Sequence, residues 1–330
     1  MTTLWDTTGT AVVKALAAER RQAGSVSSGL ALTLVVVVEE SKVEQAEQAA
    51  TRAAAAHPCR LIIVVRRRPD ALEARLDAEV LIGGRLGPGE AAVLRMYGRL
   101  ALHAESVVLP LLAPDAPVVT WWYGQPPHRI AHDPLGVLAD RRVTDTSLAA
   151  DPLASLAQRA QDYAPGDTDL AWTRATLWRA LCAAAFDSVT SAAQRAEVHG
   201  EPEDPTRALL AGWLASRLGV QASLVDSDGP GITGVSLALE DCEVRLSAGD
   251  GQTVTLRRSD QPDRTLPLER RGLGDLLAEE LRRLDADETY AAALAAATGV
   301  GGLSDRPAIR THVWHDPSDA GDPDPALTTS

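Results

Sequence analysis

Short runs of consecutive apolar residues alternate with stretches of helical spacing in the first half of the chain. The runs at residues 30–38 and 61–65 consist of Leu, Ile, Val, Ala and Thr, which is typical of strands buried on both faces. Between them, Ser41 and Glu44 have the spacing of a capping box and Pro58 follows an Ala-rich segment, so the pattern predicts a helix. A strand, a helix and a second strand predict a right-handed βαβ unit with parallel strands.

The same alternation continues to about residue 150. Residues 79–82, 118–122 and 142–145 predict further strands, and a glycine-rich turn separates the first of these from a predicted helix. The buried face of that helix would contain Val93, Tyr97, Leu100, Ala104 and Val107. We therefore expect residues 1–150 to form an α/β domain with a mostly parallel sheet.

Two helices are predicted at the start of the second half, after a linker rich in Asp, Pro and Gly. Residues 170–189 carry apolar residues at helical spacing and follow Asp169, whose side chain is a suitable N-cap. Residues 206–218 show the same spacing and are followed by Gly219, which suits the position just beyond a helix end.

The apolar period then changes from near four to two. Between residues 235 and 256, apolar residues alternate with small or polar ones, which predicts short antiparallel strands. Residues 273–284 predict one more helix, and we expect the helices to cover this sheet. The pattern predicts an α+β domain over residues 165–298, with an antiparallel sheet and helices, and a disordered tail over residues 299–330.

Composition and charge narrow the class of protein. Of 330 residues, 45% are hydrophobic and 23% are charged, as in soluble globular proteins of two domains. The net charge of −13 disfavours binding to a nucleic acid backbone or to an anionic membrane surface. Cys59, Cys182 and Cys242 lie far apart, which is typical of a reducing cytosol. We therefore expect a cytoplasmic protein that binds neither nucleic acid nor a membrane.

The glycine-rich segment from Gly83 to Gly89 is a candidate phosphate site, because it lies between a predicted strand and a predicted helix. Its glycines do not match G-x-G-x-x-G, no Lys-Ser/Thr pair follows, and Pro88 removes one N–H donor. A plain turn is the favoured interpretation. The alternative is an enzyme or sensor that binds a phosphorylated sugar or a nucleotide there.

Other catalytic and metal-binding patterns are weak. His128 and His132 are four residues apart, but Pro126 and Pro127 oppose the helix that would align them. No G-x-S-x-G segment is present, and no two carboxylates stand out as an acid–base pair. The sequence therefore singles out no catalytic residue, metal ligand or cofactor.

Four segments rich in Trp, Pro and Arg occur along the chain. They are His57-Pro58-Cys59-Arg60-Leu61; the proline-bounded stretch 109–122, which ends in Trp121-Trp122; Asp167-Thr168-Asp169-Leu170-Ala171-Trp172-Thr173-Arg174 with Leu177-Trp178-Arg179; and Leu209-Leu210-Ala211-Gly212-Trp213-Leu214-Ala215. In this order they resemble the OpcA family of actinobacterial glucose-6-phosphate dehydrogenase assembly proteins.

The resemblance implies a non-catalytic protein that binds glucose-6-phosphate dehydrogenase at the entry of the oxidative pentose phosphate pathway. It implies promotion of the oligomerisation or the activity of that enzyme, and it carries over no catalytic residues or cofactor. In photosynthetic relatives the family is associated with redox control through cysteines, and the three cysteines here show no paired spacing.

Tryptophan and arginine are enriched at the energetic centres of protein interfaces. We expect the surface for the dehydrogenase to include Trp121, Trp122, Asp169, Trp172, Arg174 and Arg179. Adjacent strand residues point to opposite faces, so one tryptophan of the Trp-Trp pair is expected under a helix and the other at a loop, a cleft or a partner.

The predicted helix after Asp169 presents Trp172, Thr176 and Arg179 on one face. Arg174 lies near the start of this helix, where a positive side chain is unfavourable unless a carboxylate pairs with it. Asp167 or Asp169 is the expected partner. An intramolecular Asp–Arg clasp between the two domains remains open as an alternative to contact with the dehydrogenase.

Overall fold

A computed structural model describes residues 1–23, 30–83, 89–130, 132–186, 191–249, 252–259 and 261–308. The strands of the first sheet are β1 (Thr2–Leu4), β2 (Leu32–Val38), β3 (Cys59–Arg67), β4 (Arg75–Ile82), β5 (Glu90–Tyr97), β6 (Val118–Tyr123), β7 (Arg141–Thr144) and β8 (Asp167–Asp169). Those of the second sheet are β9 (Ala193–Gly200), β10 (Ala222–Asp226), β11 (Ile232–Leu239), β12 (Glu243–Ala248), β13 (Thr253–Arg258) and β14 (Gln261–Pro267).

The helices flank both sheets. They are α1 (Gly9–Gln22), α2 (Val43–Ala56), α3 (Arg99–Leu102), α4 (Glu105–Val108), α5 (Pro134–Val137), α6 (Pro152–Asp162), α7 (Leu170–Arg174), α8 (Thr176–Phe186), α9 (Pro205–Leu218), α10 (Leu273–Glu280) and α11 (Glu288–Thr298).

The first sheet has the strand order β1-β4-β5-β3-β2-β6-β7-β8. From β5 to β8 in that order all neighbours pair in parallel, whereas β4 and β1 are antiparallel. Every residue of β2 is buried, because helices cover both faces of the sheet. The predicted mostly parallel α/β arrangement of the first half is confirmed.

The second sheet has the order β10-β9-β11-β12-β13-β14 and is antiparallel except for the pair β9 and β10. The helices α8 and α9 cover one face, where Val235, Leu237 and Leu246 are buried. The predicted antiparallel strands are confirmed. The strands β9 and β10 were not predicted, because the buried apolar side chains of β9 are Ala196 and Val198 among polar neighbours and β10 is a half-exposed edge strand.

The prediction of a helix directly after the glycine-rich turn is wrong. The structure places strand β5 there, followed by the short helices α3 and α4. A strand that is buried on both faces reads as a continuous apolar run, and such a run also satisfies helical spacing. The prediction of a capping box at Ser41 and Glu44 is also wrong. Helix α2 follows a 3-10 turn at Glu40–Lys42, and no side chain caps its first turn.

Two segments of the second half belong to the first sheet. Strand β8 pairs with β7 at its edge. The helix α10 does not cover the second sheet as expected, because Leu276, Leu277 and Leu281 pack into the cluster that α2 forms on the first sheet. The two halves of the chain are therefore interlocked, and the predicted boundary near residues 150–165 stays a prediction.

The start of the predicted tail is packed. Leu303 is 2% exposed, and Arg306 donates hydrogen bonds to three backbone oxygens at the end of α6. Residues 309–330 of the predicted tail lie outside the described residues, as do residues 187–189 at the end of the predicted helix after Asp169.

Helix α9 lies close against α11 at Gly212. A Cβ atom at this position would lie 2.2 Å from the backbone oxygen of Ala293 and 2.8 Å from the backbone nitrogen of Ala297. We predict that Gly212→Ala lowers the free energy of unfolding by about 1–3 kcal/mol, because the two helices must separate. The matched control is Gly301→Ala, whose added Cβ meets no atom within 4 Å. Equal stability of the two variants in urea unfolding would contradict the prediction.

Candidate functional site

The residues predicted to bind a partner divide into a buried group and a half-buried pair of arginines. The exposed fractions of Trp121, Trp122, Asp169 and Trp172 are 0%, 1%, 0% and 2%. These four side chains lie in the core, so they do not form a surface in this conformation. Of the six predicted residues, Arg174 and Arg179 are the two that are partly exposed and can contact a partner.

Trp121 and Trp122 pack on opposite faces of β6, as expected for adjacent strand residues. Trp121 contacts Tyr123, with ring centroids 5.1 Å apart, on the face that α2 covers. Trp122 lies in the cluster on the α1 face. The expectation that one of them faces a loop or a cleft is wrong, because helices cover both faces of the sheet.

Asp169 is the N-cap of α7, as predicted, and it links β7 to β8. Its carboxylate accepts hydrogen bonds from the Ala171 N–H (2.9 Å) and the Thr144 hydroxyl (2.7 Å). It also accepts from the N–H and the hydroxyl of Thr146, both at 3.0 Å. Burial, and then the charge of Asp145, raise the pKa of Asp169, while the hydrogen bonds act in the opposite direction.

Arg174 pairs with Asp145 rather than with Asp167 or Asp169. Its Nη1 lies 2.7 Å from Oδ1 of Asp145 and its Nη2 lies 2.6 Å from Oδ2, which is a bidentate pair. The Asp145 side chain is 0% exposed and that of Arg174 is 31% exposed. Asp167 is bound by Arg142 instead. The intramolecular Asp–Arg clasp between the two halves is therefore present, with Asp145 as its carboxylate.

A second ion pair crosses the junction between the halves. Arg141 in β7 binds the carboxylate of Glu280 at the end of α10, and both residues are buried. Glu280 also accepts a hydrogen bond of 2.6 Å from the Thr173 hydroxyl in α7. A buried charge without a partner is costly, so this network fixes α7 and α10 against the edge of the first sheet.

Arg179 lies over the ring of Trp172, with its guanidinium carbon 3.5 Å from the ring centroid. Its Nη2 donates to the Thr176 hydroxyl at 2.9 Å, so the predicted shared face of these three residues is confirmed. Trp172 is held in turn by a hydrogen bond of 2.9 Å from its Nε1 to Asp287. Burial lowers the pKa of Arg179 to about 10, so the side chain is still protonated at neutral pH.

The glycine-rich segment is a turn, but it does not lead from a strand to a helix as the sequence predicts. Gly83 and Gly89 flank a connection between the antiparallel strands β4 and β5, and the Gly83 N–H donates to the Gly89 oxygen at 2.9 Å. Residues 84–88 between them lie outside the described residues. The turn lies where β5 begins, at the amino ends of the parallel strands, whereas open α/β sheets bind ligands at the carboxyl ends.

The cysteines are in separate environments. Cys59 and Cys182 are buried, and burial raises the pKa of each thiol to about 12, which suppresses the reactive thiolate. Cys242 is half-buried. Within the described ranges, no group of three or more His, Cys, Asp or Glu is placed to hold a metal ion. No helix in the same ranges is long and apolar enough to cross a membrane.

Two family models match the chain in consecutive order. The glucose-6-phosphate dehydrogenase subunit N-terminal domain matches residues 50–161, and the C-terminal domain of the same subunit matches residues 165–294. The chain therefore belongs to the OpcA family of glucose-6-phosphate dehydrogenase subunits. The two models meet between α6 and β8, beside the ion pairs of the junction.

Two cyanobacterial relatives are named as the OxPP cycle protein OpcA. The protein of Synechococcus elongatus is 36% identical over 124 residues, which are 34% of this chain and 28% of that protein. That of Synechocystis sp. is 29% identical over 186 residues, 50% of this chain and 38% of that protein. The chain thus matches less than half the length of either relative, and the actinobacterial subtype stays a prediction.

Two solved structures align with most of the chain at low similarity. An oxidoreductase from Sinorhizobium meliloti has a TM-score of 0.40 and 11% identity, and covers 80% of this chain and 86% of its own. A levoglucosan dehydrogenase in complex with NADH and L-sorbose has a TM-score of 0.42 and 10% identity, over 81% and 90%. Likeness at this level does not bear on function.

We predict that Arg174→Ala lowers the free energy of unfolding by about 3 kcal/mol, because it leaves the buried Asp145 carboxylate without its partner. The matched control is Arg52→Ala, which removes another pair between the two halves, with Asp275. That pair is on the surface, with side chains 71% and 44% exposed, so its loss should cost less than about 1 kcal/mol. Urea unfolding of both variants measures the difference, and equal losses would contradict a buried clasp.

Proposed function

We propose that this chain is a non-catalytic partner of glucose-6-phosphate dehydrogenase that promotes the oligomerisation or the activity of the enzyme in the cytoplasm. The observation that carries the proposal is the match of both dehydrogenase-subunit domains, in order, to residues 50–161 and 165–294. The names of the two cyanobacterial relatives, which refer to the OxPP cycle, support the same pathway.

Such a partner acts through a difference in affinity. A protein that binds the active oligomer of the dehydrogenase more tightly than its inactive form shifts the population towards the active form. A rigid contact surface favours this role, because less conformational entropy is lost on binding. The buried ion pairs of the junction supply rigidity next to the exposed parts of Arg174 and Arg179.

Arg179 is the best candidate contact of this surface. It stacks on Trp172 but forms no ion pair with any carboxylate among the described residues. The carboxylates near it have other partners: Glu279 binds Arg271, and Asp287 binds Trp172. Arg179 therefore presents a positive charge that is held in place by an aromatic ring, which suits an acidic side chain of the dehydrogenase.

The proposal is tested by light scattering after size exclusion, with the glucose-6-phosphate dehydrogenase of the same organism alone and mixed with this chain. We expect a co-eluting complex that contains a larger dehydrogenase oligomer or has a higher turnover than the enzyme alone. Separate elution with unchanged turnover, at both low and moderate salt, would overturn the proposal.

Arg179→Ala should weaken binding of the dehydrogenase by roughly 30-fold, which corresponds to a hot spot of about 2 kcal/mol. Arg179→Lys keeps the charge but loses the planar contact with Trp172, and we expect an intermediate loss. The control is Arg195→Ala, since this side chain is 68% exposed on strand β9 of the second sheet and should change the Kd less than about threefold. Titration calorimetry gives each Kd, and an unchanged value for Arg179→Ala would remove this residue from the interface.

A further inference from the structure

The six parallel strands of the first sheet have the connectivity of a dinucleotide-binding fold. In chain order they are β2, β3, β5, β6, β7 and β8, and their order in space is β5-β3-β2-β6-β7-β8, which is 3-2-1-4-5-6. In folds of this connectivity, a dinucleotide lies across the carboxyl ends of the strands, and its pyrophosphate sits on the turn after the first one. The fold therefore implies a crevice at the carboxyl end of β2, between β3 and β6.

The turn after β2 does not fit a pyrophosphate. Residues 39–44 are Glu-Glu-Ser-Lys-Val-Glu, with no glycine to allow close approach of the backbone and with three carboxylates against one lysine. The backbone donors are also in use, because the Lys42 N–H donates to the Glu39 oxygen at 3.0 Å and the Val43 N–H donates to the Glu40 oxygen. Lys42 itself lies beside Gly124 at the end of β6.

An ion pair occupies the α2 side of the crevice. Glu40 binds Arg67 at the end of β3, with an oxygen–nitrogen distance of 2.7 Å, and it also accepts from Nε of Arg95 in β5 at 3.3 Å. Arg67 donates in addition to the Tyr97 hydroxyl at 2.6 Å. In dinucleotide-binding folds an acidic residue near the end of the second strand binds the ribose hydroxyl, or an arginine nearby binds the 2′-phosphate of NADP. Here the arginine at that place is already paired with Glu40.

A second ion pair closes the opposite face. Arg66 at the end of β3 makes a bidentate pair with Asp133, at 2.9 Å and 3.1 Å. Asp133 lies in the connection after β6 and caps α5 through the Leu135 N–H, so this pair joins β3 to the segment that follows β6, the two strands that flank β2. The Asp133 side chain is 6% exposed, which gives the pair more weight than a surface ion pair.

We infer that the crevice at the carboxyl end of β2 binds no pyridine dinucleotide, and that the pairs Glu40–Arg67 and Arg66–Asp133 hold it closed. A dinucleotide would have to break both pairs and bring its two phosphates next to Glu39 and Glu40. It follows that any effect of NADP on a complex with the dehydrogenase arises on the dehydrogenase.

The first test is a thermal shift titration of this chain alone with NADP and NAD, with a known NADP-binding dehydrogenase as the positive control. We expect no saturable rise in Tm for the wild-type chain. A saturable rise that either Lys42→Ala or Arg67→Ala abolishes would overturn the inference, because both residues are cations at the carboxyl end of the parallel strands. A saturable rise that is unchanged in both variants would place the nucleotide elsewhere and leave the crevice closed. None of these outcomes depends on binding to the dehydrogenase, so the test is independent of the proposed function.

The second test addresses the ion pairs. Asp133→Asn keeps an acceptor for the N-cap of α5 but removes the charge that pairs with Arg66, and we expect Tm to fall by about 2–6 °C. The matched control is Asp140→Asn, because Asp140 also accepts a backbone N–H, from Val118 at 2.8 Å, but makes no ion pair among the described residues. Equal Tm values for the two variants would overturn the role of Arg66–Asp133 in closing the crevice.

Discussion

The arrangement of the chain depends on the burial of charged groups where its two halves meet. Asp145, Arg141 and Glu280 are withdrawn from water, and each is tolerated only because a partner from the other half meets it. These pairs have strict geometry, unlike apolar contacts, which accept many orientations. They therefore fix strand β8 at the edge of the first sheet and α10 on its face, and they join two sheets with separate cores into one body.

This constraint also explains which residues are available for function. The tryptophans that mark the family segments serve the core, and the surface beside them is formed by Arg174 and Arg179. The two arginines are held by a buried ion pair and by the Trp172 ring. A partner that binds this surface therefore causes little loss of conformational entropy. Charge pairs also lie at the carboxyl end of β2. Because of them, we infer that the first sheet binds no dinucleotide, although its strand order is that of a dinucleotide-binding fold.

The sequence predicted those elements that depend on residues close to one another in the chain. The buried strands β2, β3 and β6, the N-cap at Asp169 and the end of α9 at Gly219 are all visible in the sequence. Strand β5 was missed because an apolar run buried on both faces fits either period. The pairing of Arg174 with Asp145 and the packing of α10 on the first sheet have no local signal, since they join residues distant in the chain. One tryptophan of the Trp121-Trp122 pair was expected at a loop, a cleft or a partner, because the sequence does not show which elements cover each face of β6.

The paired charges should make the two halves one cooperative unit, which differential scanning calorimetry of the full chain can test. We expect a single transition in which the calorimetric and the van't Hoff enthalpies agree. Two resolved transitions, or a van't Hoff enthalpy well below the calorimetric one, would show instead that the halves unfold separately.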